Sequence, residues 1–339
     1  MRRFPLLYLP SPRRRLPRLA VVAAVVSVFA VTGCAGTSTS SPPAGTSDAG
    51  AVPSSAPAAP AAPTVAGLVV YASTVDAVTT VMKVQERLAS GGMVTATVDH
   101  AAAAASIGQK LRPTTVVIGG NPKAGTPLIA AAQTSAIDLP QKYLVWQAAD
   151  GTVYLGYNAA EYIAARAGLD PTNPVLGGLR TGSAAVAAAA TGTDHPVADG
   201  SATAAGPGTY LVEKTSDTTV AGAIDRYTAA FVAKALKPVA TVDHAAGAAS
   251  IGATLRPTET TFVGNPMVGT ALLQSQQTMG IDLPVRYLAW QDQAGTVHVA
   301  HPDIRVLAAR HHITGLDNVL TMIDNATATF TATAARTGN

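Results

Sequence analysis

An aspartate followed directly by a histidine and two alanines occurs twice in the chain, at Asp99-His100 and at Asp243-His244. A carboxylate beside an imidazole can orient the ring for general acid–base catalysis. Adjacent residues of a strand point to opposite faces, however, so the side chains of each pair are not expected to touch. Aspartate also caps helices, a contribution of about 1 kcal/mol, and an alanine-rich segment follows each pair. We favour the capping role and keep an enzyme that uses Asp-His acid–base pairs as the alternative.

A second candidate site is the Gly-Asn-Pro loop at Asn121. We expect it to lead into a short helix with Thr126 as N-cap and Pro127 as first residue. Free N–H groups at such a helix start attract anions, and Lys123 would add positive charge. The loop lacks the glycine spacing of a phosphate-binding loop, so a plain turn before a capped helix is the simpler interpretation.

Both candidates belong to a long internal repeat. Residues 97–126 recur at 241–270, with twenty of the thirty positions identical and an offset of 144. The loop at Asn121 recurs at Asn265, but Met267 replaces Lys123, so charge-dependent binding would be confined to the first copy. A period of this length exceeds that of solenoid repeats, and each copy is therefore expected to have a core of its own.

The second copy is rich in histidine, with five of the seven in the chain: His244, His298, His301, His311 and His312. His298 and His301 replace tyrosines of the first copy. A metal or haem site with Met267 or Met279 as soft ligands is a further alternative. Positions 298 and 301 lie on opposite faces of a strand, however, and 311 and 312 diverge on a helix. We therefore predict no cofactor and retain His298 and His301 only as weak candidates.

The first 33 residues predict an export signal. Six arginines precede an apolar run over 19–32, too short to span a bilayer as a mature helix. The run ends in Val-Thr-Gly before Cys34, which resembles the lipobox of bacterial lipoproteins. We expect Cys34 to be diacylated and to anchor the protein to the cell membrane, facing outside the cytoplasm. A chance cysteine after an uncleaved anchor is the alternative, and the export route is left open.

Composition narrows the function classes. Cys34 is the only cysteine, so its lipidation excludes disulfides, thiolate catalysis and thiolate metal sites in the folded part. Six of the 23 basic residues and none of the 20 acidic residues precede Cys34, which leaves 17 basic residues in the mature protein. The mature chain is mildly acidic and has no basic stripe with interleaved aromatics, so nucleic-acid binding is not expected. No G-x-S-x-G sequence provides a hydrolase nucleophile.

The domain organisation follows from composition and periodicity. Residues 34–66 are rich in Ser, Ala and Pro and predict a disordered tether. We place the first domain at 67–191, a polar linker at 192–207 and the second domain at 208–336. Each copy alternates strand and helix patterns in the order β-α-β-β-β-β-α, with a minor helix or two. This order predicts an α+β fold with helices on one face of a sheet.

The spaced motifs resemble the family known as domain of unknown function 302, here in tandem. The resemblance rests on five motifs that recur in order in both copies; in the first copy they are Asp99-His100-Ala101-Ala102, Leu111-Arg112-Pro113-Thr114, Gly120-Asn121-Pro122-Lys123, Asp138-Leu139-Pro140 and Leu144-Val145-Trp146. It implies a TATA-binding-protein-like fold and brings no established activity. Single-domain relatives pair as homodimers, so the resemblance implies that the two copies pair within one chain.

The sequence thus predicts a non-catalytic envelope protein that binds a small molecule or an envelope partner. We expect binding at the interface of the copies, or near Asp99-His100 and Asn121, with Asp243, His244 and Asn265 as counterparts and Lys123 in the first copy alone. Trp146 and Trp290 lie mid-strand and are expected in the core.

Overall fold

The computed structural model describes residues 64–200 and 210–336. The predicted signal, Cys34 and most of the predicted tether lie outside the described residues. Within them, the secondary structure of the first copy and that of the second follow the same order.

The first copy contains five long strands and five α-helices. The strands are β1 (Leu68–Ala72), β2 (Met93–Asp99), β3 (Thr114–Gly120), β4 (Lys142–Gln147) and β5 (Val153–Asn158). The helices are α1 (Ala77–Gly91), α2 (His100–Ala105), α3 (Pro122–Ala131), α4 (Ala160–Arg166) and α5 (Gly177–Thr191). A 3-10 helix at Gln133–Asp138 separates α3 from β4, and another lies at Pro174–Leu176.

After a two-residue strand β6 (Ala198–Asp199), the second copy repeats the pattern. Its strands are β7 (Leu211–Ser216), β8 (Pro238–Asp243), β9 (Thr258–Val263), β10 (Val285–Gln291) and β11 (Val297–Pro302). Its helices are α6 (Val220–Val232), α7 (His244–Ala249), α8 (Pro266–Ser275), α9 (Ile304–Arg310) and α10 (Asp317–Ala335). A 3-10 helix at Gln277–Ile281 corresponds to the one before β4.

Each copy forms one antiparallel sheet. The strand orders are β2-β3-β4-β5-β1-β6 and β7-β11-β10-β9-β8, so the second sheet matches the first read in reverse, without β6. The predicted α+β class and the order β-α-β-β-β-β-α are confirmed, with the short helices as minor additions. Trp146 and Trp290 are buried as expected.

One face of each sheet is covered by the two long helices of the same copy. In the first copy, Val84 and Leu88 of α1 and Val186 of α5 lie in one cluster with Val117 and Tyr143 of the sheet. In the second, α6 and α10 supply the equivalent cover, and the rings of Phe231 and Phe330 meet edge to face with centroids 5.0 Å apart. Edge-to-face packing adds specificity to ordinary apolar burial.

The opposite face of each sheet lies against the other copy. Ile281, from the 3-10 helix of the second copy, is buried with Leu144 and Trp146 of the first sheet. The 3-10 helix at Gln133–Asp138 contacts β10 in the same way. The expectation of helices on one face therefore holds within each copy, while the other face is covered by the partner copy. This arrangement forms an intramolecular pair.

Two stretches near the expected domain boundaries contact the first sheet. Val65, within the predicted tether, is buried in the cluster that contains Leu144. Strand β6, within the predicted linker, pairs antiparallel with β1. Both stretches therefore add to the first domain's sheet and core.

The predicted start of α3 is wrong. The helix begins at Pro122 with Asn121 as N-cap, and Pro127 lies inside it. The side-chain oxygen of Asn121 accepts a hydrogen bond from Lys123 N at 2.9 Å, and proline at the first position needs no N–H partner. The helix ends at Ala131, because Ala132 is extended before the 3-10 helix begins.

Candidate functional site

The two aspartates of the Asp-His pairs cap helices. Asp99 Oδ1 accepts a hydrogen bond from Ala102 N at 2.9 Å at the start of α2, and Asp243 Oδ1 accepts one from Ala246 N at 2.8 Å at the start of α7. The predicted capping role is therefore what the geometry shows. Each carboxylate is directed towards a helix start, where it satisfies a backbone donor.

The adjacent histidines are buried and differ in their partners. His244 Nε2 lies 3.0 Å from Thr260 Oγ1, whereas His100 Nε2 has no hydrogen-bond partner among the described residues. Val116 stands at the position equivalent to Thr260, which accounts for the difference. Burial lowers the pKa of both imidazoles to about 4. Both rings are therefore neutral near pH 7.

A groove of about 670 Å³ runs between the copies and joins candidate residues from both. Asn121 and Lys123, at the start of α3, line it from the first copy, and Asp243 and His244 line it from the second. We call it the first groove. The sequence placed these residues in two separate candidate sites, and the contact of α3 with α7 brings them together. The volume lies within the range of about 300 to 1,000 Å³ that is typical of small-molecule sites.

A second groove of about 390 Å³ is related to the first by the internal repeat. It is lined by His100 of the first copy and Asn265 of the second. We call it the second groove. The walls of the two grooves differ because α5 carries smaller side chains than α10 at equivalent positions. Gly178, Gly182 and Val186 in the first groove correspond to Met322, Ala326 and Phe330 in the second. The larger side chains of Met322 and Phe330 account for the smaller volume of the second groove.

The first groove has an apolar interior with polar groups at its edge. Leu88, Ile129 and Tyr143 are buried residues of its wall, whereas Arg87 and Lys123 are exposed. Burial raises the pKa of Tyr143 to about 12, so its phenol stays protonated. The groove can therefore hold an apolar body and offer positive charge to one end of it.

Asn121 shapes the groove without offering its side chain freely. Its oxygen caps Lys123 N, and its Nδ2 donates to Gly91 O at 2.5 Å. The expected cradle of free N–H groups before Thr126 does not form, because the helix already starts at Pro122. The Lys123 side chain is thus the main anion-attracting group at this end. The equivalent Asn265 also caps its helix, through Met267 N at 3.0 Å.

The histidines of the second-copy hairpin do not converge. His298 lies between two carboxylates, with Nδ1 2.7 Å from Glu213 Oε1 and Nε2 3.0 Å from Asp292 Oδ2. His301 is buried on the other face, where its Nδ1 lies 2.7 Å from Thr331 Oγ1. Met279 is buried, whereas Met267 is exposed. Over residues 64–200 and 210–336, no group of three His, Cys, Asp or Glu side chains is placed to hold a metal ion.

Sequence reasoning missed the small residues that open the first groove. Gly178 and Gly182 lie one turn apart on α5, and a Cβ added at Gly182 would meet no atom within 4 Å. Two glycines at a spacing of four in a helix are costly for helix stability, and this cost is the signal that could have identified them.

The model of the family described as "Domain of unknown function DUF302" matches residues 69–181 and 212–330. The chain belongs to this family. The two matches coincide with the two copies of the sheet, so the protein is a tandem DUF302 protein.

Curated relatives of this DUF302 chain include proteins named fluoride-specific ion channel FluC 1. Those of Brucella suis and Brucella abortus are each 39% identical over 129 residues. The match covers 38% of this chain and 50% or 47% of the relatives. Because the chain spans about half the length of these relatives, the activity in their name is not assigned to it. Within the described parts of the chain, none of the helices combines the length and the apolar character needed to cross a bilayer.

A solved DUF302 structure is also similar. It is the crystal structure of an uncharacterized conserved protein from Bacillus stearothermophilus, with 16% identity and a TM-score of 0.34. The similarity covers 37% of this chain and 97% of that protein.

Proposed function

We propose that this protein is a non-catalytic binding module that holds a small molecule in the first groove, between its two DUF302 copies. The observation that carries the proposal is the joint lining of the groove by Asn121 and Lys123 of one copy and Asp243 and His244 of the other. A site built from both copies gives the tandem arrangement a role, since a single copy supplies only one wall.

The ligand class follows from the lining. Leu88, Ile129 and Tyr143 favour an apolar body, and Arg87 and Lys123 favour an anionic end. Asp243 is the acidic residue among the lining groups, and its carboxylate already accepts a helix N–H. We therefore propose a ligand with an apolar body and one anionic group.

The absence of catalysis is part of the proposal, and the Asp-His geometry supports it. Acid–base work near pH 7 favours a group whose pKa lies near that pH and that reaches the substrate. Burial lowers the pKa of His100 and His244 to about 4, and the neighbouring carboxylates are occupied with helix capping. Binding is the function that this geometry supports best.

The cellular setting is proposed from the sequence. Cys34 follows an apolar run that resembles a lipoprotein signal, and the Pro-rich stretch behind it would hold the domains away from the membrane. We propose that the module is displayed outside the cytoplasm on a lipid anchor. A soluble small molecule of the envelope would then reach the first groove directly.

Anilinonaphthalene sulfonate, an apolar dye with one anionic group, is a suitable probe for the purified full-length chain. We expect saturable fluorescence enhancement with the wild type. Gly182→Leu places a side chain in the open groove and should weaken dye binding by about tenfold, equivalent to about 1.4 kcal/mol. Gly177→Leu is the matched control, because an added Cβ at Gly177 also meets open space but lies outside the groove lining. Equal dye affinity in the two variants would refute the proposed site.

A further inference from the structure

A cluster of charged side chains is buried where the two copies meet. It contains two carboxylates and four cationic side chains, each at most 8% exposed: Asp138, Asp282, Lys142, Arg166, Arg286 and Arg310. The internal repeat relates them in pairs, since Asp138 corresponds to Asp282, Lys142 to Arg286 and Arg166 to Arg310. Neither groove is lined by these residues.

In the half of the cluster around Asp282, the carboxylate is fully hydrogen-bonded, although Arg286 Nε has no partner among the described residues. Asp282 Oδ1 accepts hydrogen bonds from both terminal nitrogens of Arg286 at 3.1 Å. Asp282 Oδ2 accepts one from Arg310 Nη1 at 2.7 Å and lies 2.9 Å from His311 Nε2. Arg310 also donates to Asn158 Oδ1 at 2.7 Å. These contacts are the geometry that makes a buried carboxylate stable.

The half of the cluster around Asp138 contains several donors without hydrogen-bond partners. In the described part of the chain, Lys142 Nζ has no hydrogen-bond partner, and neither has any guanidinium nitrogen of Arg166. Arg166 approaches carboxylates only at 3.7 Å from Asp138 and 4.0 Å from Asp282. Its guanidinium lies over the ring of Tyr210. A ring face does not replace the hydrogen bonds that a buried guanidinium needs.

The charges of the cluster do not balance. Two carboxylates face three arginines, which remain protonated in proteins, and one lysine. Burial, and then the nearby Arg286, lower the pKa of Lys142 well below its ordinary value, so proton loss can remove the lysine charge. Even then the three guanidiniums exceed the two carboxylates by one. An uncompensated buried charge is strongly destabilising, so a counter-ion is favoured.

We propose that one small monovalent anion of about the size of chloride binds in this cluster, held by Lys142 Nζ and the guanidinium of Arg166. The anion supplies acceptors to donors that have none, and it balances the surplus of positive charge. We choose an inorganic ion over a larger ligand because the surrounding side chains are almost fully enclosed. The site is separate from the first groove and does not depend on the ligand proposed there.

A crystal of the full-length wild-type chain grown in sodium bromide tests the site without any mutation. The expected result is one anomalous bromide peak within hydrogen-bonding distance of Lys142 Nζ and Arg166. Bromide peaks confined to the protein surface, or none at all, would overturn the proposal.

Thermal unfolding gives a second test in solution. At constant ionic strength, replacing gluconate with chloride should raise the unfolding midpoint temperature. We expect a rise of about 5 °C when chloride is at about a hundred times its dissociation constant. Lys142→Met should reduce this shift, because it removes one of the two groups proposed to hold the anion. It should also raise the midpoint in gluconate, because it removes a buried donor without a partner.

Lys214→Met is the matched control, since it removes an exposed lysine that lines neither groove. It should keep the full chloride shift. The same chloride shift in Lys142→Met and Lys214→Met would show that chloride acts elsewhere and would contradict the proposal. If Lys142→Met does not fold, the bromide map of the wild type decides alone.

Discussion

Arg112 of the first copy donates to Gln277 Oε1 of the second, with Nη2 at 2.7 Å and Nε at 3.1 Å. The repeat generates the reciprocal contact, in which Arg256 Nη2 donates to Gln133 Oε1 at 2.7 Å. The two copies therefore meet as the subunits of a two-fold dimer do, with the same surface used twice. This reciprocity supports the view that the copies act as one unit.

Removing Gln277 should loosen the pair. Its Nε2 also donates to Thr114 Oγ1 at 2.8 Å, so Gln277→Ala removes a partner from both Arg112 and Thr114 of the first copy. We expect the free energy of unfolding to fall by about 1 to 3 kcal/mol. Urea unfolding of Gln277→Ala, Arg112→Ala and the double variant measures the coupling. Strictly additive effects would argue against a direct interaction.

Gly182 should tolerate a methyl group with a gain in stability. It lies in the interior of α5 with open space around it, and alanine has a higher helix propensity than glycine. Gly182→Ala is expected to raise the free energy of unfolding by about 0.5 to 1 kcal/mol. Urea denaturation measures this value. A loss of stability would mean that the space beside Gly182 is too small for a methyl group.

The buried histidines should make stability depend on pH. Burial lowers the pKa of His100, His244, His301 and His311 from 6.5 to about 4. The unfolded chain therefore takes up protons first as the pH falls from about 6.5 towards 4, and the folded state loses stability in that window. Each histidine contributes at most roughly 1.4 kcal/mol per pH unit there, and nothing further above about 6.5.

Urea unfolding at several pH values from about 4.5 to about 7.5 measures how the free energy of unfolding changes with pH. His100→Asn should reduce this slope by about one proton, because the ring of His100 titrates only in the unfolded chain over this range. Glu259 acts in the opposite direction, since burial raises the pKa of its carboxyl. An unchanged slope in His100→Asn would contradict the assignment of His100 as a buried neutral ring.

Cys34 should determine where the protein is found. We predict that the wild type fractionates with membranes through the lipidated cysteine, and that Cys34→Ser moves the domains to the soluble fraction or leaves the leader uncleaved. Membrane fractionation followed by mass spectrometry of the mature N-terminus tests this. An unmodified Cys34 in the wild type would contradict the lipid anchor.

Local rules predicted much of the fold. Asp99 and Asp243 were identified as caps because a capping interaction involves only neighbouring residues. The strand order along the chain followed from alternation, and the duplication followed from sequence identity. The start of α3 was wrong because two prolines competed for the first helical position, and the side chain of Asn121 decided between them.

Relationships between the copies were beyond local rules. Asn121 and His244 lie far apart in sequence and share a groove only because α3 of one copy contacts α7 of the other. The sequence pattern places Lys142 in a strand without marking it as unusual. The alternation of apolar and polar residues does not show that the second copy covers the outer face of the first sheet. The interface therefore contains both the groove and the charge cluster, and neither could be derived from one copy.

The two copies are proposed to hold one ligand between them in the first groove. A crystal structure of the full-length chain soaked with anilinonaphthalene sulfonate tests it most directly. We predict dye density between Lys123 and His244, with the sulfonate towards Lys123. Dye found only outside the first groove, or a first groove closed by a different arrangement of the copies, would contradict it.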